Sequence, residues 1–344
     1  MKWINHDIDE RRVMLQQVAN HKGISSNAVE KDWWVTMTLK ALFSTSFAPY
    51  LLFKGGTSLS KGWNIINRFS EDIDISLGRE WFFQQGLAYA ACENKSQRER
   101  LRKKSRQVII TDLLRELHEQ LCNLGLMEDD FFIDDVSEVR TNEGVVPVSS
   151  DKDPTVLNVI YKSILEESTG YIQPLVKIEI SCLNLSEPFE PRPITTMISE
   201  LFSEADDETT CTINTVSPER TFLEKAFLLN EEFQKEDPRT RRMSRHYYDL
   251  EKLMDTEFGI KALTNYELYN RIIEHRRKYN ALRYVNYDLN RSDKIWIIPP
   301  ADLLSAFERD YEEMQESMVF KDAIPFEDLI LRMHELQERI RKIQ

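Results

Sequence analysis

Residues Phe53–Leu77 read FKGGTSLSKGWNIINRFSEDIDISL: a glycine turn opens a helix, and a strand with two aspartates one residue apart follows. A strand through Tyr50-Leu51-Leu52-Phe53-Lys54 runs into Gly55-Gly56, where the missing Cβ lets the backbone turn tightly and come close to a ligand. Thr57 and Ser58 begin a predicted helix whose apolar residues Leu59, Trp63 and Ile66 recur at helical spacing. Its free amides and dipole would face the turn and favour an anion such as phosphate. On the next strand Asp72 and Asp74 share one face while Ile73 and Ile75 share the other. Carboxylates that close repel one another unless a cation is present, and hard oxygen ligands suit magnesium or manganese.

Each half has an ordinary reading by itself. A Gly-Gly pair before a helix is commonly just a turn, and an alternating Asp-Ile-Asp-Ile run is commonly a half-solvated strand. Together they say more. The sixteen positions from Gly56 to Asp72 leave room for one helix and a return, so both halves can converge on one phosphate chain.

With 344 residues the chain can bury a sizeable core, as one large domain or two moderate ones, and two lobes are expected. A hydrophobic content of 41% is ordinary for a globular protein, and no apolar stretch approaches a membrane span. The start, Met1-Lys2-Trp3-Ile4-Asn5, lacks an apolar signal region, and Cys92, Cys122, Cys182 and Cys211 show no metal-ligand spacing. A reducing cytoplasm is the expected location. The net charge of −13 argues superficially against nucleic acid, yet Lys95–Gln107 carries seven basic residues against Glu99 alone. Further basic clusters lie at Arg239, Arg241, Arg242 and Arg245, and at Arg271, Arg276, Arg277, Lys278 and Arg283. An acidic body with basic patches can seat an RNA in one groove and repel it elsewhere, although any one cluster can equally be a solvated helix face.

Along the chain, residues 8–44 read as helices, and residues 81–125 are helical and strongly charged, a basic insertion over about 85–125. Phe131–Val139, Val156–Tyr161 and Leu175–Ile180 read as further strands of the same sheet. Pro218 opens a helix through Asn230, Asp237-Pro238 breaks it, and a second helix runs through Tyr248. Beyond Asp255 the chain is helical apart from the apolar run Lys294–Pro300. Glu179 lies on an apolar strand, where an unpaired carboxylate is costly, so a cation or a basic neighbour is implied unless the strand is an exposed edge. Lys177 shares its face and could pair with Glu179 or orient phosphate. Arg245 and Asp249 stand four apart on one helix, an ordinary ion-pair spacing.

The motif Gly55-Gly56-Thr57-Ser58 with Arg68-Phe69-Ser70-Glu71-Asp72-Ile73-Asp74 resembles the AbiEii/AbiGii nucleotidyltransferase toxins of the DNA polymerase β-like superfamily. Val29–Thr36, Lys177–Ser181, Arg220–Lys225, Arg245–Leu250 and Asp310–Met314 follow in the family's order, so the resemblance covers the chain from about Ile24 to the C-terminal helix. It implies an α+β fold: a nucleotidyltransferase lobe over 1–255, with a mixed sheet flanked by helices, and a C-terminal helical lobe over 256–344. It implies two divalent cations, Mg2+ or Mn2+, held by Asp72, Asp74 and Glu179, with Glu179 also a candidate general base. Lys54, Gly55, Gly56, Thr57, Ser58, Lys61, Ser70, Lys177 and Arg245 become candidate nucleotide-binding residues. Lys225 would face the triphosphate, and Asp249 would be essential and would hold Lys225 or Arg245 in place.

The activity so implied is transfer of a nucleoside monophosphate from an NTP to RNA, specifically the tRNA 3′ end, with an antitoxin as partner and a role in phage defence or growth control. Two alternatives stay open: the same chemistry on a protein or small molecule, and an NTP-binding interaction protein without turnover.

Overall fold

In the computed structural model, which describes residues 2–70, 72–141, 144–165, 172–319 and 323–344, the chain forms a mixed sheet flanked by helices. Glu71 of the quoted motif lies outside the described residues. The strands are β1 (Leu51–Lys54), β2 (Asp72–Leu77), β3 (Phe131–Asp134), β4 (Glu138–Thr141), β5 (Gly144–Pro147), β6 (Thr155–Tyr161), β7 (Leu175–Ser181), β8 (Phe189–Ile194) and β9 (Cys211–Val216). Seven of them form one sheet in the order β3-β6-β7-β2-β1-β9-β8, and β4 and β5 form a two-stranded sheet. β2 runs parallel to β7 and antiparallel to β1, while β6 runs antiparallel to both β7 and β3.

The alternation read in the sequence sorts the two faces of this sheet. Ile73, Ile75, Leu157, Val159, Val176, Ile178 and Ile180 are buried on one face. The helix Ser26–Leu42 packs on that side against β7 and against the helix Leu114–Asn123. The helix is buried nearly all round, so its polar residues need partners. Trp33 Nε1 donates to Asp206 at 3.1 Å, and Glu30 accepts from Ser163 Oγ and from Ile164 N.

The chain divides into two compact units. The first comprises Met1–Gly62 and Glu71–Thr215, and the second Trp63–Ser70 and Val216–Gln344. This division differs from a boundary at 255/256: the helices Pro218–Glu232 and Ser244–Leu253 go with the C-terminal helices because they pack on Glu257–Thr264, Tyr266–His275, Leu304–Met318 and Phe326–Ile340. The basic segment of the first unit is one long rod, Lys95–Val108, continued through a wide turn at Ile109–Leu113 into Leu114–Asn123.

One local expectation changes. The helix after the glycine turn spans only Gly55–Thr57 and a wide turn Ser58–Gly62, so Leu59 lies within it while Trp63 and Ile66 do not. Trp63 instead donates from Nε1 to Val216 O at 3.0 Å and meets Phe258 edge-on, both within the second unit. The apolar run Lys294–Pro300 forms no strand. Its backbone is satisfied by side chains: Trp296 N donates to Asn230 Oδ1, Ile297 N to Gln337 Oε1, and Tyr247 Oη to Ile297 O.

Asp206, fully buried in the first unit, accepts from Trp3 N, Trp33 Nε1, Thr196 Oγ1 and Thr209 Oγ1. Removing an acceptor of that kind strands several desolvated donors at once. Asp206→Ala is therefore expected to lower stability by about 3 kcal/mol or more, read as an earlier urea midpoint. A midpoint equal to that of the parent chain would contradict this role.

Candidate active site

The register of the first unit's sheet assembles the acidic site. Asp74 of β2 stands opposite Glu179 of β7 and opposite Lys54 of β1, and Asp72 stands opposite Lys177. All five side chains leave the face opposite the buried Ile73, Ile75, Ile178 and Ile180, because alternate residues point to opposite sides. Adjacent strands lie about 4.8 Å apart, so Asp74 and Glu179 are close neighbours.

Gly55 closes this site from β1. Its φ of +81° suits glycine, and a Cβ there would come within 2.0 Å of Asp74 Oδ2. The Asp74 carboxylate thus fills the space that the missing side chain leaves, which brings the glycine turn and the acid into direct contact. Thr57 Oγ1 donates to Asp72 O and pins the turn to β2, and Ser58 Oγ donates to Gly55 O at 2.8 Å. Both hydroxyls are buried and shape the turn.

Lys177 Nζ pairs with Glu179 Oε1. Burial disfavours its charge, but the hydrogen bond to Glu179 and the fields of Glu179, Asp72 and Asp74 prevail and raise its pKa above the ordinary value. The ammonium thus offsets part of the negative charge on this face. The donor set, carboxylate oxygens on one face, fits in kind a hard divalent cation. Among the described residues no three His, Cys, Asp or Glu side chains converge as a closed ligand cluster. The Lys61 ammonium lies 2.5 Å from Asp32 Oδ1, with both side chains nearly buried. Asp32 also accepts from Met197 N, so Lys61 anchors the turn to the central helix.

The second unit holds the other group. Asp249 is fully buried and takes Arg68 in two parallel bonds, Nε to Oδ1 at 2.7 Å and Nη2 to Oδ2 at 2.8 Å. Lys225 Nζ lies 2.8 Å from Asp249 Oδ2. Burial alone would raise the Asp249 carboxyl, but Arg68 and Lys225 outweigh it and hold it well below the usual carboxylate range. Lys225 is lowered from its ordinary 10.5, by burial first, with Asp249 opposing and Arg68 and Arg245 adding to the shift. Ser70 and Arg245 also belong to this unit.

Arg68 was part of the quoted motif but received no role from the sequence. The signal that pointed to it was Asp249 itself, a carboxylate among Tyr247, Tyr248 and Leu250 that needs a cation. Asp310, in another quoted motif, accepts from Ser244 N and so satisfies the start of the helix Ser244–Leu253. Of the second unit's basic clusters, Arg239 pairs with Glu232, Arg276 with Glu231 and Arg277 with Asp288, which gives these three a place in the unit's own ion-pair network.

A glycine turn set against carboxylates on one face of a mixed sheet is the candidate site. The family model described as nucleotidyl transferase AbiEii toxin, type IV TA system, matches residues 38–332, and the chain belongs to that family. Among solved structures it is similar to MenT4, a nucleotidyltransferase toxin from Mycobacterium tuberculosis H37Rv, at 17% identity and a TM-score of 0.42, over 95% of this chain and 97% of that one. No curated protein matches.

Two outcomes follow from this geometry. Gly23 has φ +70° with open space around it, whereas Gly55 has φ +81° with Asp74 against it. Both Gly→Ala changes incur the left-handed backbone cost of about 1–2 kcal/mol, but only Gly55→Ala should also displace Asp74. Gly55→Ala is therefore expected to fall further in melting temperature than Gly23→Ala, and equal shifts would contradict the contact.

The second outcome concerns His246, buried beside Lys225, Arg245, Asp249 and Arg68, with its Nδ1 lacking a hydrogen-bond partner among the described residues. Burial first, then Lys225 and Arg245, push its pKa well below 6.5. The unfolded chain takes up a proton as pH falls through about 6.5 while the folded chain does not, so stability falls with pH, by up to about 1.4 kcal/mol per unit. In urea titrations between pH 7.5 and 5.5, His246→Gln should flatten that slope.

Proposed function

We propose that this chain transfers a nucleoside monophosphate from an NTP to an acceptor hydroxyl of RNA, with the 3′ end of tRNA as the target, and so blocks translation. The observation that carries this reading is the β1-β2-β7 register, which sets Gly55 against Asp74 and Asp74 beside Glu179.

Asp72, Asp74 and Glu179 would hold divalent magnesium or manganese. Such ions, when bound, lower the pKa of an attacking hydroxyl and neutralise charge on the leaving group. The chain's own residues do the rest. The backbone of Gly55-Gly56 admits the triphosphate close to the turn, and the amides at the start of the following helix offer it donors. Glu179 accepts the acceptor hydroxyl's proton while the oxygen forms a bond to the α-phosphorus. The α–β phosphoanhydride bond breaks, and its electron pair leaves with pyrophosphate. Lys177 supplies fixed positive charge beside the carboxylates.

In the second unit, Arg68 fixes Asp249, and Asp249 orients the Lys225 ammonium. No helix among the described residues is long and apolar enough to cross a membrane. The proposal places the protein in the cytoplasm, with an antitoxin encoded nearby and phage defence or growth control as its setting.

The test is incubation of the purified protein with total tRNA and each labelled NTP in turn, beside Asp74→Ala. Label should enter RNA with the parent chain and fall at least a hundredfold with the variant. Label in protein from a cell extract, but not in RNA, would instead identify a protein acceptor. Toxicity on expression that survives Asp74→Ala would contradict the catalytic assignment.

A further inference from the structure

The sheet face that carries the carboxylates continues past β7. Asn158 of β6 stands opposite Lys177, and Asp134 of β3 stands opposite Asn158, so Asp72, Lys177, Asn158 and Asp134 form one transverse row. One step along, Leu175, Ile160 and Phe132 form the next row. Phe132 is 57% exposed on this face, while its neighbour Phe131 is 4% exposed on the other. The Asn158 side chain is half-exposed and makes no hydrogen bond among the described residues.

The glycine turn lies on the β1 side of β2, and β6 and β3 lie on the opposite side, beyond Glu179. From Glu179 toward β6 and β3, Asn158 lies one strand and one row away, about 8 Å, and Phe132 two strands and two rows away, about 16 Å, within reach of the end of an RNA strand that approaches Glu179. Diagonal neighbours on antiparallel strands lie about 7–8 Å apart, so Phe132 and Asn158 can contact one ring system. The charged helix Lys95–Val108 is tied to the same place, because Arg106 Nη2 donates to Val136 O, just past the end of β3. The exposed Lys103 and the half-exposed Arg98 of that helix offer charge to a phosphodiester backbone.

We propose that Phe132 and Asn158 seat the unpaired terminal base of the acceptor RNA, the ring by stacking and the carboxamide by hydrogen bonding to the base edge. Unstacked RNA ends are recognised in this way, on aromatic faces and through base-edge hydrogen bonds. The inference rests on the RNA-acceptor reading above and makes these two side chains specificity-determining residues.

The experiment pairs two readouts on the full chain: anisotropy of short 5′-fluorescein single-stranded RNAs that differ only in the 3′-terminal base, and transfer kinetics on the same RNAs without the dye. Phe132→Ala and Asn158→Ala should each weaken RNA binding by roughly tenfold and raise the acceptor KM by a similar factor, with the NTP KM unchanged. Phe132→Trp should restore binding, and Asn158→Ala should narrow the differences among the four terminal bases. Asn158→Asp, of equal size, provides a folded variant that alters the base-edge donors, and circular dichroism checks each fold.

Unchanged RNA affinity and acceptor KM in both alanine variants, or a rise in the NTP KM alone, would overturn the inference while leaving the transfer activity standing. A parent chain that neither binds nor labels RNA would overturn this inference together with the RNA reading.

Discussion

Crowded negative charge on one face of a sheet is the constraint around which the first unit is organised. Asp72 and Asp74 leave β2 on the same side, and the parallel partner β7 adds Glu179 directly opposite Asp74. Carboxylates at neighbouring register positions destabilise a fold unless positive charge is built in. Lys177 provides it from the same strand as Glu179, two residues away. The opposite face has the reverse character, a buried and mostly aliphatic layer under a buried helix. A one-residue slip of β2 or β7 would bury the acids and expose the isoleucines, so the hydrophobic layer is also what holds the chemistry in place.

The second unit solves a similar problem with the signs arranged differently. One buried carboxylate, Asp249, is bound by two cations, a bidentate guanidinium and an ammonium. Loss of either partner would leave charge uncompensated in a dry environment. Arg68 is suited to the bidentate role because its fork stays charged and planar, while Lys225 adds a single point charge to one oxygen. Burial first, and then the charges of Lys225 and Arg245, push the pKa of the neighbouring His246 imidazole down.

Much of the fold was legible because its signals are local. Period-two alternation located β2, β6 and β7, and proline located the start of the helix at 218. The Asp-Ile-Asp run gave the face of the sheet as well as the strand. What escaped the sequence is non-local. Lys61 pairs with Asp32, 29 positions earlier, a contact no local pattern announces. Arg68 and Asp249 are 181 positions apart. Trp63 and Ile66 fit a helical spacing by coincidence, since the segment leaves the helix at Gly62 to join other partners. Asn158 and Phe132 carry no motif, and only the register of β3 on β6 puts them on the same face as the acids.

The eight residues Trp63–Ser70 interrupt the first unit between its glycine turn and its aspartate strand, yet they pack with the second: Phe69 N donates to Met318 O, and Arg68 bridges to Val319. The polypeptide therefore crosses between units three times, at 62/63, 70/71 and 215/216. A gene fragment ending near Thr215 would encode every carboxylate of the sheet but would leave this eight-residue excursion without its bed, next to the very turn those acids need. Truncation near Thr215 is thus a poor route to a smaller folded protein.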